Sequence, residues 1–433
     1  MSGNENNCSG RVITCTEDVT TETIIDGVSV TGGNKGGIRT FGNTLIQNCL
    51  VYANTGGRGV YNDIGKIKNC VVYHNADAGI QNIKGIVSDC WITLNGNSNI
   101  SNGIKTTAGG GILNDEGEVI NCKIQNNCVA TFSNSSPNYG TDLSAYAGGI
   151  YNKSGKIDRC LVMNNSIYSF NGATGGSMMS ALAYGGGIYS LGGIISNCCI
   201  FNNTATAEAR SGNDYYAFPL GGGIMCSELS SLGGTKTTLY NTTILNNSRK
   251  WKVTERSECY SSSNTEYINC IREVNNLDLN FINPTSFMGT AVTDKQRQEI
   301  LQANWNLKAG SGYIDMGSSQ DLPEWIINGT DLAGNPRINN GTIDLGAYEY
   351  TSGSSIVELI QMDIAVYPNP ASDFIIIKGI ETGENIQMYN LNGQLVLSHK
   401  ITNYEEEIKI DFLPTGIYLI KTSTGKMIKW IKK

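Results

Sequence analysis

Histidine is almost missing from this chain: His74 and His399 are the two in 433 residues. They lie far apart, with no cluster of metal ligands or nucleophiles spaced around either, so a zinc centre or a histidine-activated nucleophile finds no footing. Charge is sparse as well, at 16% of residues, and Lys and Arg do not cluster. With a formal net charge of −7, that argues against a nucleic-acid partner. No apolar run reaches the length of a membrane-crossing helix. Leucines at helical or leucine-rich-repeat spacing are missing too, which leaves short strands as the main building material.

What the chain has instead is a beat. A Cys, preceded by Asn except at Asp89-Cys90 and Arg159-Cys160 and followed five residues on by Asn, recurs at Cys49/Asn54, Cys70/Asn75, Cys90/Asn95, Cys122/Asn127, Cys160/Asn165, Cys198/Asn203 and Cys270/Asn275. Thr242 replaces the Cys before Asn247, and Val28 holds the slot near the start. Gly-flanked aliphatics precede most anchors: Ile38, Val60, Ile80, Ile112, Ile150 and Ile188. Intervals of this size mark a solenoid, in which each unit buries its apolar face on the next. Apolar positions alternate in bursts such as Ile67–Cys70–Val72 and Ile195–Cys198–Ile200, bounded by Gly or Asn. The reading is a parallel β-helix of about nine turns, three short strands per turn, stacked at about 4.8 Å. Ile, Val and Cys fill the core. The Asn column is expected at a left-handed bend, and Gly at the other bends, as in Gly109–Gly111, Gly148–Gly149, Gly185–Gly187 and Gly221–Gly223.

Cysteines in the repeating slot read as reduced core residues. Cys8, Cys15, Cys128, Cys226 and Cys259 lie off the column and are the ones expected to pair. The beat lengthens where residues 96–108, 128–147, 166–184 and 204–220 are inserted, all at one place in the unit. Insertions on one side of a solenoid build a shared surface. These carry Tyr139, Tyr146, Tyr168, Phe170, Tyr215, Tyr216 and Phe218 as candidate ligand-binding residues. Aromatics among Asn, Ser and Thr suit a glycan surface, and equally suit pinning the loops to the rod. For catalysis the candidates are thin: Asp142, Glu208, Arg210 and Asp214. Two of these acids could approach the roughly 5–9.5 Å that glycoside hydrolysis needs, but so could most pairs of loop acids. No metal site is expected in the loops. Asp315 and Asp344, each in an Ile-Asp-x-Gly step, read as turn caps, with a structural Ca²⁺ the alternative.

After residue 350 the period ends. A linker at 351–362 leads into seven short strands over 363–433, an antiparallel sandwich by pattern. Val366-Tyr367-Pro368-Asn369-Pro370-Ala371, Tyr389-Asn390-Leu391-Asn392-Gly393-Gln394, Leu413-Pro414-Thr415-Gly416-Ile417-Tyr418 and a basic tail with Lys432 and Lys433 closely resemble the type IX secretion sorting domain of Bacteroidota. That resemblance implies export across the outer membrane, contact with the type IX machinery, and a secreted or surface-attached body. It also implies an N-terminal signal peptide. Met1–Gly10 has no apolar segment, so a signal peptide and further coils are expected upstream.

The Gly-Gly-Gly-Ile and Asn-Asn beats resemble the pectin-lyase-like superfamily. Asp331–Ile338 and Gly341–Tyr350 resemble the end of "choice-of-anchor Q" surface proteins. These resemblances imply an all-β chain: a right-handed parallel β-helix over 1–290, a C-terminal lid over 291–350, and the small antiparallel β-sandwich. They name no reaction, because this superfamily hosts enzymes and adhesins alike. The expected role is non-catalytic binding of a polysaccharide or cell-surface glycan through the inserted loops. The alternative is a polysaccharide lyase or glycoside hydrolase.

Overall fold

The computed structural model describes residues 10–16, 23–96, 98–100, 107–133, 143–172, 180–209, 217–227, 235–251, 254–261, 265–272, 307, 309–320, 322–339, 341–351, 365–378, 383–390, 394–403, 405–422 and 427–433. They fall into two compact units, one holding the described residues up to 272 together with 307–350, the other holding 365–433.

The first unit is a parallel β-helix. Each coil lays down three short strands, as in Ile80–Asn82, Ile86–Ser88 and Trp91–Thr93. Coils stack in register: Ile80 pairs with Val60 and Ile112, Val87 with Ile67 and Val119, Ile92 with Val72 and Ile124. The result is three parallel sheets of nine, nine and eight strands. Because the register keeps like over like, the core is columns of Ile and Val, all fully buried. Burying each such side chain stabilises the fold by about 1.5–3 kcal/mol.

Two corners carry polar ladders inside this core. Asn54, Asn75, Asn95, Asn127, Asn165, Asn203 and Asn247 are buried, and each side-chain amide donates to the Oδ1 of the next at 2.8–3.1 Å. The left-handed residue at this corner is not the ladder Asn but the one before it: Ala53, His74, Leu94, Asn126, Asn164, Asn202 and Asn246 all have φ near +50°. That corrects the sequence reading, which gave one residue both tasks. A second ladder joins Asn62 to Asn82, Asn114 and Asn152 at 2.8–2.9 Å. It sits at strand ends in an Asn-x-x-Gly step, each amide also donating to the carbonyl of the Gly three residues on at 2.9–3.1 Å, and the sequence reading passed over it.

The cysteine corner explains the Asn–Cys step. Asn48, Asn69, Asp89, Asn121, Arg159, Asn197, Asn241 and Asn269 are left-handed there, a conformation Asn tolerates better than most residues. The following thiol turns inward and donates to the carbonyl two residues back, as Cys49 does to Gln47 (3.0 Å) and Cys198 to Ser196 (3.0 Å). Thr242 makes the same bond to Tyr240 at 2.9 Å, so the substitution keeps the donor as well as the size. All twelve described cysteines are free. The pairing expected for Cys15, Cys128, Cys226 and Cys259 is therefore corrected: parallel stacking places aliphatic or hydroxyl neighbours over them, such as Ile224 over Cys259 and Ser261 over Cys226. Cys8 lies outside the described residues.

The insertions form ordered layers. Strands Cys128–Ser133, Ser166–Asn171 and Thr204–Ala209 continue one parallel sheet, while Leu143–Tyr146, Ala181–Tyr184 and Ala217–Leu220 form another. The two pack face to face through Val129, Ile167, Ala145, Ala181, Ala183, Ala205, Ala207 and Ala217. Small side chains bring the sheets close, and Ser169 Oγ bridges them by donating to the Leu143 carbonyl at 3.0 Å. The loops are thus a two-layered fin on the rod. Gly149 lets it join: a Cβ there would lie 2.6 Å from the Gly187 carbonyl oxygen of the next coil.

Residues 307–350 lie against the last coils. Leu322, Ile326 and Ile343 pack with Tyr240 and Ile268, Gly346 N–H donates to the Asn269 carbonyl (2.8 Å) and Ala347 N–H to Thr243 Oγ1 (2.9 Å). A single-turn helix, Glu324–Ile327, falls in this segment. The sequence pattern also predicts a short helix near 294–304, and these residues lie outside the described ones.

The second unit is a small β-sandwich. Ala365–Tyr367, Phe374–Lys378 and Glu405–Lys409 form one antiparallel sheet; Leu395–Lys400, Asn385–Asn390, Gly416–Lys421 and Met427–Lys432 form the other. Ile375, Ile377, Ile386, Met388, Ile408, Ile420 and Trp430 fill the space between them. The strand Glu405–Lys409 ends in a turn, where Leu413 N–H donates to the Ile410 carbonyl at 3.0 Å.

Candidate functional site

Alternation along the fin strands decides which aromatics are available. In Ser166–Asn171, Ile167 and Ser169 point into the fin, so Tyr168 and Phe170 point out. The register sets Phe132 beside Phe170 and Glu208 on its other side. Phe132 and Phe170 stack with centroids 4.7 Å apart at 16°, and the Tyr168 ring lies 6.4 Å from Phe170 at 8°. The Tyr168 hydroxyl donates to Glu208 Oε2 at 3.2 Å. Burial first, then the Glu208 charge, push its pKa up to about 12. The result is a strip of nearly parallel, half-buried rings, stacked from coil to coil, with a hydrogen-bonded carboxylate at its edge.

The other aromatics divide. Phe218 is exposed, at 43%, on the opposite layer of the fin. Tyr146 instead packs on Tyr189 (4.9 Å), Tyr184 (5.7 Å) and Tyr151 (6.4 Å), in a cluster with buried Leu191 and Met225. It wedges the fin against the rod, so for Tyr146 the pinning role prevails. Tyr139, Asp142, Arg210, Asp214, Tyr215 and Tyr216 lie outside the described residues.

A cleft of about 350 Å³ opens between the rod and the 307–350 segment, lined by Lys156, Asp158, Arg159, Asn197, Trp325 and Thr330. Sequence reasoning missed it, because its residues lie far apart in the chain. Lys156 Nζ sits 3.7 Å from the centroid of the Trp325 ring. Arg159 gives Nε to Asp158 (3.0 Å) and Nη1 to Thr330 Oγ1 (3.0 Å). The other Asp158 oxygen accepts from Ser196 Oγ (2.7 Å) and Asn197 Nδ2 (3.0 Å). Both carboxylate oxygens are thus committed, which suits docking the segment more than proton transfer.

Behind the cleft, Arg337 is fully buried and pairs with Glu349 at 3.1 Å. Its Nη2 also donates to the Asp344 and Gly346 carbonyls. Asp331 accepts from the Asn335 and Glu349 N–H groups, and Asp344 from those of Asp315 and Tyr350. Of the acids around it, Arg337 pairs with the Glu349 carboxylate, and burial, opposed by Arg337, raises Glu349 to about 8. Asp315 accepts the Thr342 hydroxyl. The Asp315 and Asp344 carboxylates act as turn caps, and the cation among the acids is Arg337. Among the described residues no group of His, Cys, Asp or Glu could hold a metal ion, and no helix is long and apolar enough to cross a membrane.

In the second unit the motif residues close turns and tie the chain ends. Asn369 accepts from Ile431 N–H (2.9 Å) and donates to the Lys429 carbonyl (3.3 Å). Pro368 and Pro370 flank it, both after cis peptide bonds. Tyr418 Oη donates across the turn to the Pro414 carbonyl at 2.7 Å, and Gly416 opens the strand that carries Tyr418. Lys432 is largely buried, its ammonium donating to the Ser372 and Lys433 carbonyls, while Lys433 is exposed. The expected basic tail is therefore partly a buried clasp. Gly393 lies outside the described residues.

Residues 365–433 match the family described as the secretion system C-terminal sorting domain. No curated protein matches the chain. Two solved structures are similar to it. One is from a study of PorZ, an essential bacterial surface component of the type-IX secretion system of Porphyromonas gingivalis. It is 22% identical over 21% of this chain, with a TM-score of 0.16, and the match spans 13% of that protein. The other is the pectate lyase Pel9A, 14% identical over 73% of each chain, with a TM-score of 0.39.

Proposed function

We propose that this protein, a secreted or cell-surface β-helix that carries a type IX sorting domain at residues 365–433, binds a polysaccharide or surface glycan on the outer face of its fin without cleaving it. The observation that carries this is the strip of Phe132, Phe170 and Tyr168 edged by Glu208. Half-buried rings held stacked on a rigid sheet offer apolar edges at little entropic cost, and the carboxylate and tyrosine hydroxyl supply polar contacts beside them. The strip spans three adjacent coils, with Phe132 on the first, Tyr168 and Phe170 on the second and Glu208 on the third, which suits an extended ligand lying along the axis. The pectin-lyase-like and choice-of-anchor Q resemblances agree with a surface role but add no residue to the strip.

The second reading is a lyase or hydrolase. It would draw on the cleft, whose volume is adequate and which holds Lys156 and Arg159. Against it, the one carboxylate described in the cleft lining has both oxygens committed, and hydrolysis needs two acids. Passing the full chain over immobilised pectic, xylan, mannan and glucan polysaccharides tests the binding reading. Retention that Tyr168→Ala/Phe170→Ala abolishes supports it, and retention unchanged by that pair contradicts it.

A further inference from the structure

We infer that the outer side of the first three coils binds an oxyanion, a carboxylate, sulfate or phosphate group, among the guanidinium groups of Arg11, Arg39 and Arg58. The site is separate from the aromatic strip and does not depend on it.

The three arginines are scattered in the sequence and gathered by the register. Arg11 lies just before the first strand, Ile13–Cys15, which pairs with Ile38–Thr40; that strand pairs in turn with Val60–Asn62. Gly36 stands between Arg11 and Arg58, at φ +108°. A Cβ there would meet the Arg58 carbonyl oxygen at 2.6 Å and Arg11 Nη1 at 3.3 Å. The missing side chain leaves a notch beside Arg11. Arg39 is held from the other direction, its Cζ 4.4 Å from the Phe41 ring centroid and 5.0 Å from that of Tyr61. Two aromatic faces fix its plane, so little freedom remains to be lost on binding.

This cluster is uncompensated. Among the described residues none of the three arginines is in an ion pair, in a protein whose formal charge is −7. Arg11 Nη1, Arg39 Nε and Arg58 Nε are each shut off from solvent without an acceptor. Burial first, then the charges of Arg39 and Arg58, hold the Arg11 guanidinium below its ordinary pKa. A solvated charged face would show the opposite: arginines spread apart with their nitrogens in water. Dehydrated donors without partners are costly, and like charges crowded together add to that. An oxyanion relieves both, because guanidinium forks match planar and tetrahedral oxygens.

The test uses the full chain with sodium sulfate, sodium phosphate or sodium acetate as probes, against sodium chloride at equal ionic strength. Thermal unfolding and calorimetric titration are compared for wild type, Arg39→Gln and Arg58→Gln. The expected result is an anion-specific rise in the melting midpoint and measurable binding, weakened about tenfold or more in each variant. The probe that acts identifies the group as carboxylate or tetrahedral anion. In low salt without the probe, Arg58→Gln should melt no lower than wild type, since removing one charge relieves repulsion. No anion-specific rise, a rise kept in both variants, or Arg58→Gln melting lower in low salt would each overturn the proposal. The last would show Arg58 already satisfied within the protein.

Discussion

Asn127 reaches one atom twice: its backbone amide and its side-chain amide each donate to Asn165 Oδ1 at 3.0 Å. The same side chain donates to the Ile92 and Gln125 carbonyls and accepts from Asn95 in turn. Replacing it with Ala strands several buried groups at once. Asn127→Ala is expected to cost about 2–4 kcal/mol, read as a fall in the urea midpoint. Asn126 next to it is exposed and left-handed, so Asn126→Gly should cost well under about 1 kcal/mol. Equal losses at the two positions would contradict the division of labour between them.

The thiol column makes a second expectation. Cys49, Cys70, Cys90, Cys122, Cys160 and Cys198 are buried, while Cys128 is exposed. Alkylation of the native protein followed by mass spectrometry should label Cys128 first and reach these six only in denaturant. Cys198→Thr should keep the donor that Thr242 uses and fold with a smaller loss than Cys198→Ala. Rapid native labelling of the column would count against a continuous core.

Glu349 gives the segment over the last coils a pH dependence with a definite sign. Its folded pKa is raised to about 8 from an ordinary 4.5. Between those values the unfolded chain has released a proton that the folded chain keeps, so stability from this group falls as pH rises through that window and is fully present below it. Asp344, also raised, acts in the same direction. Unfolding midpoints from pH 5 to pH 9 should decline more steeply for wild type than for Glu349→Gln. Parallel curves would remove the buried proton from the picture.

In the sorting domain, Asn369 ties the first strand region to the last through Ile431 and Lys429. Asn369→Ala should loosen that clasp, accelerating amide exchange at Ile431 while the Tyr418–Pro414 bond is unaffected. Exchange at Ile431 unchanged by the substitution would mean that strand pairing alone holds the end.

The rod was legible because its physics is periodic. A coil repeats its inward residues, so Ile, Val, Cys and Asn return at fixed offsets, and coil number and core columns can be read from the beat. The conformation of single residues was less legible. Nothing in Asn–Cys says which neighbour of a buried Asn takes the left-handed bend, and Leu94 and Arg159 fill such places without any turn signature. The fin was hidden by its chemistry. Ala205, Ala207 and Ala217 read as loop residues, because small side chains give weak strand signals even though they let two sheets pack closely. The cleft and the arginine cluster were hidden by distance: Lys156 meets Trp325, and Arg11 meets Arg58, only once the register is known.

The binding role rests on the outer strip of the fin, and one measurement reaches it most directly. The full chain and its Tyr168→Ala/Phe170→Ala variant are incubated with each soluble polysaccharide of the panel. Complex formation is followed by affinity electrophoresis, and new reducing or unsaturated ends are assayed in the same samples. The expected result is retardation by at least one polysaccharide, weakened about tenfold or more in the variant, with no new ends in either sample. New ends accumulating with wild type, or retardation identical in the variant, would contradict it.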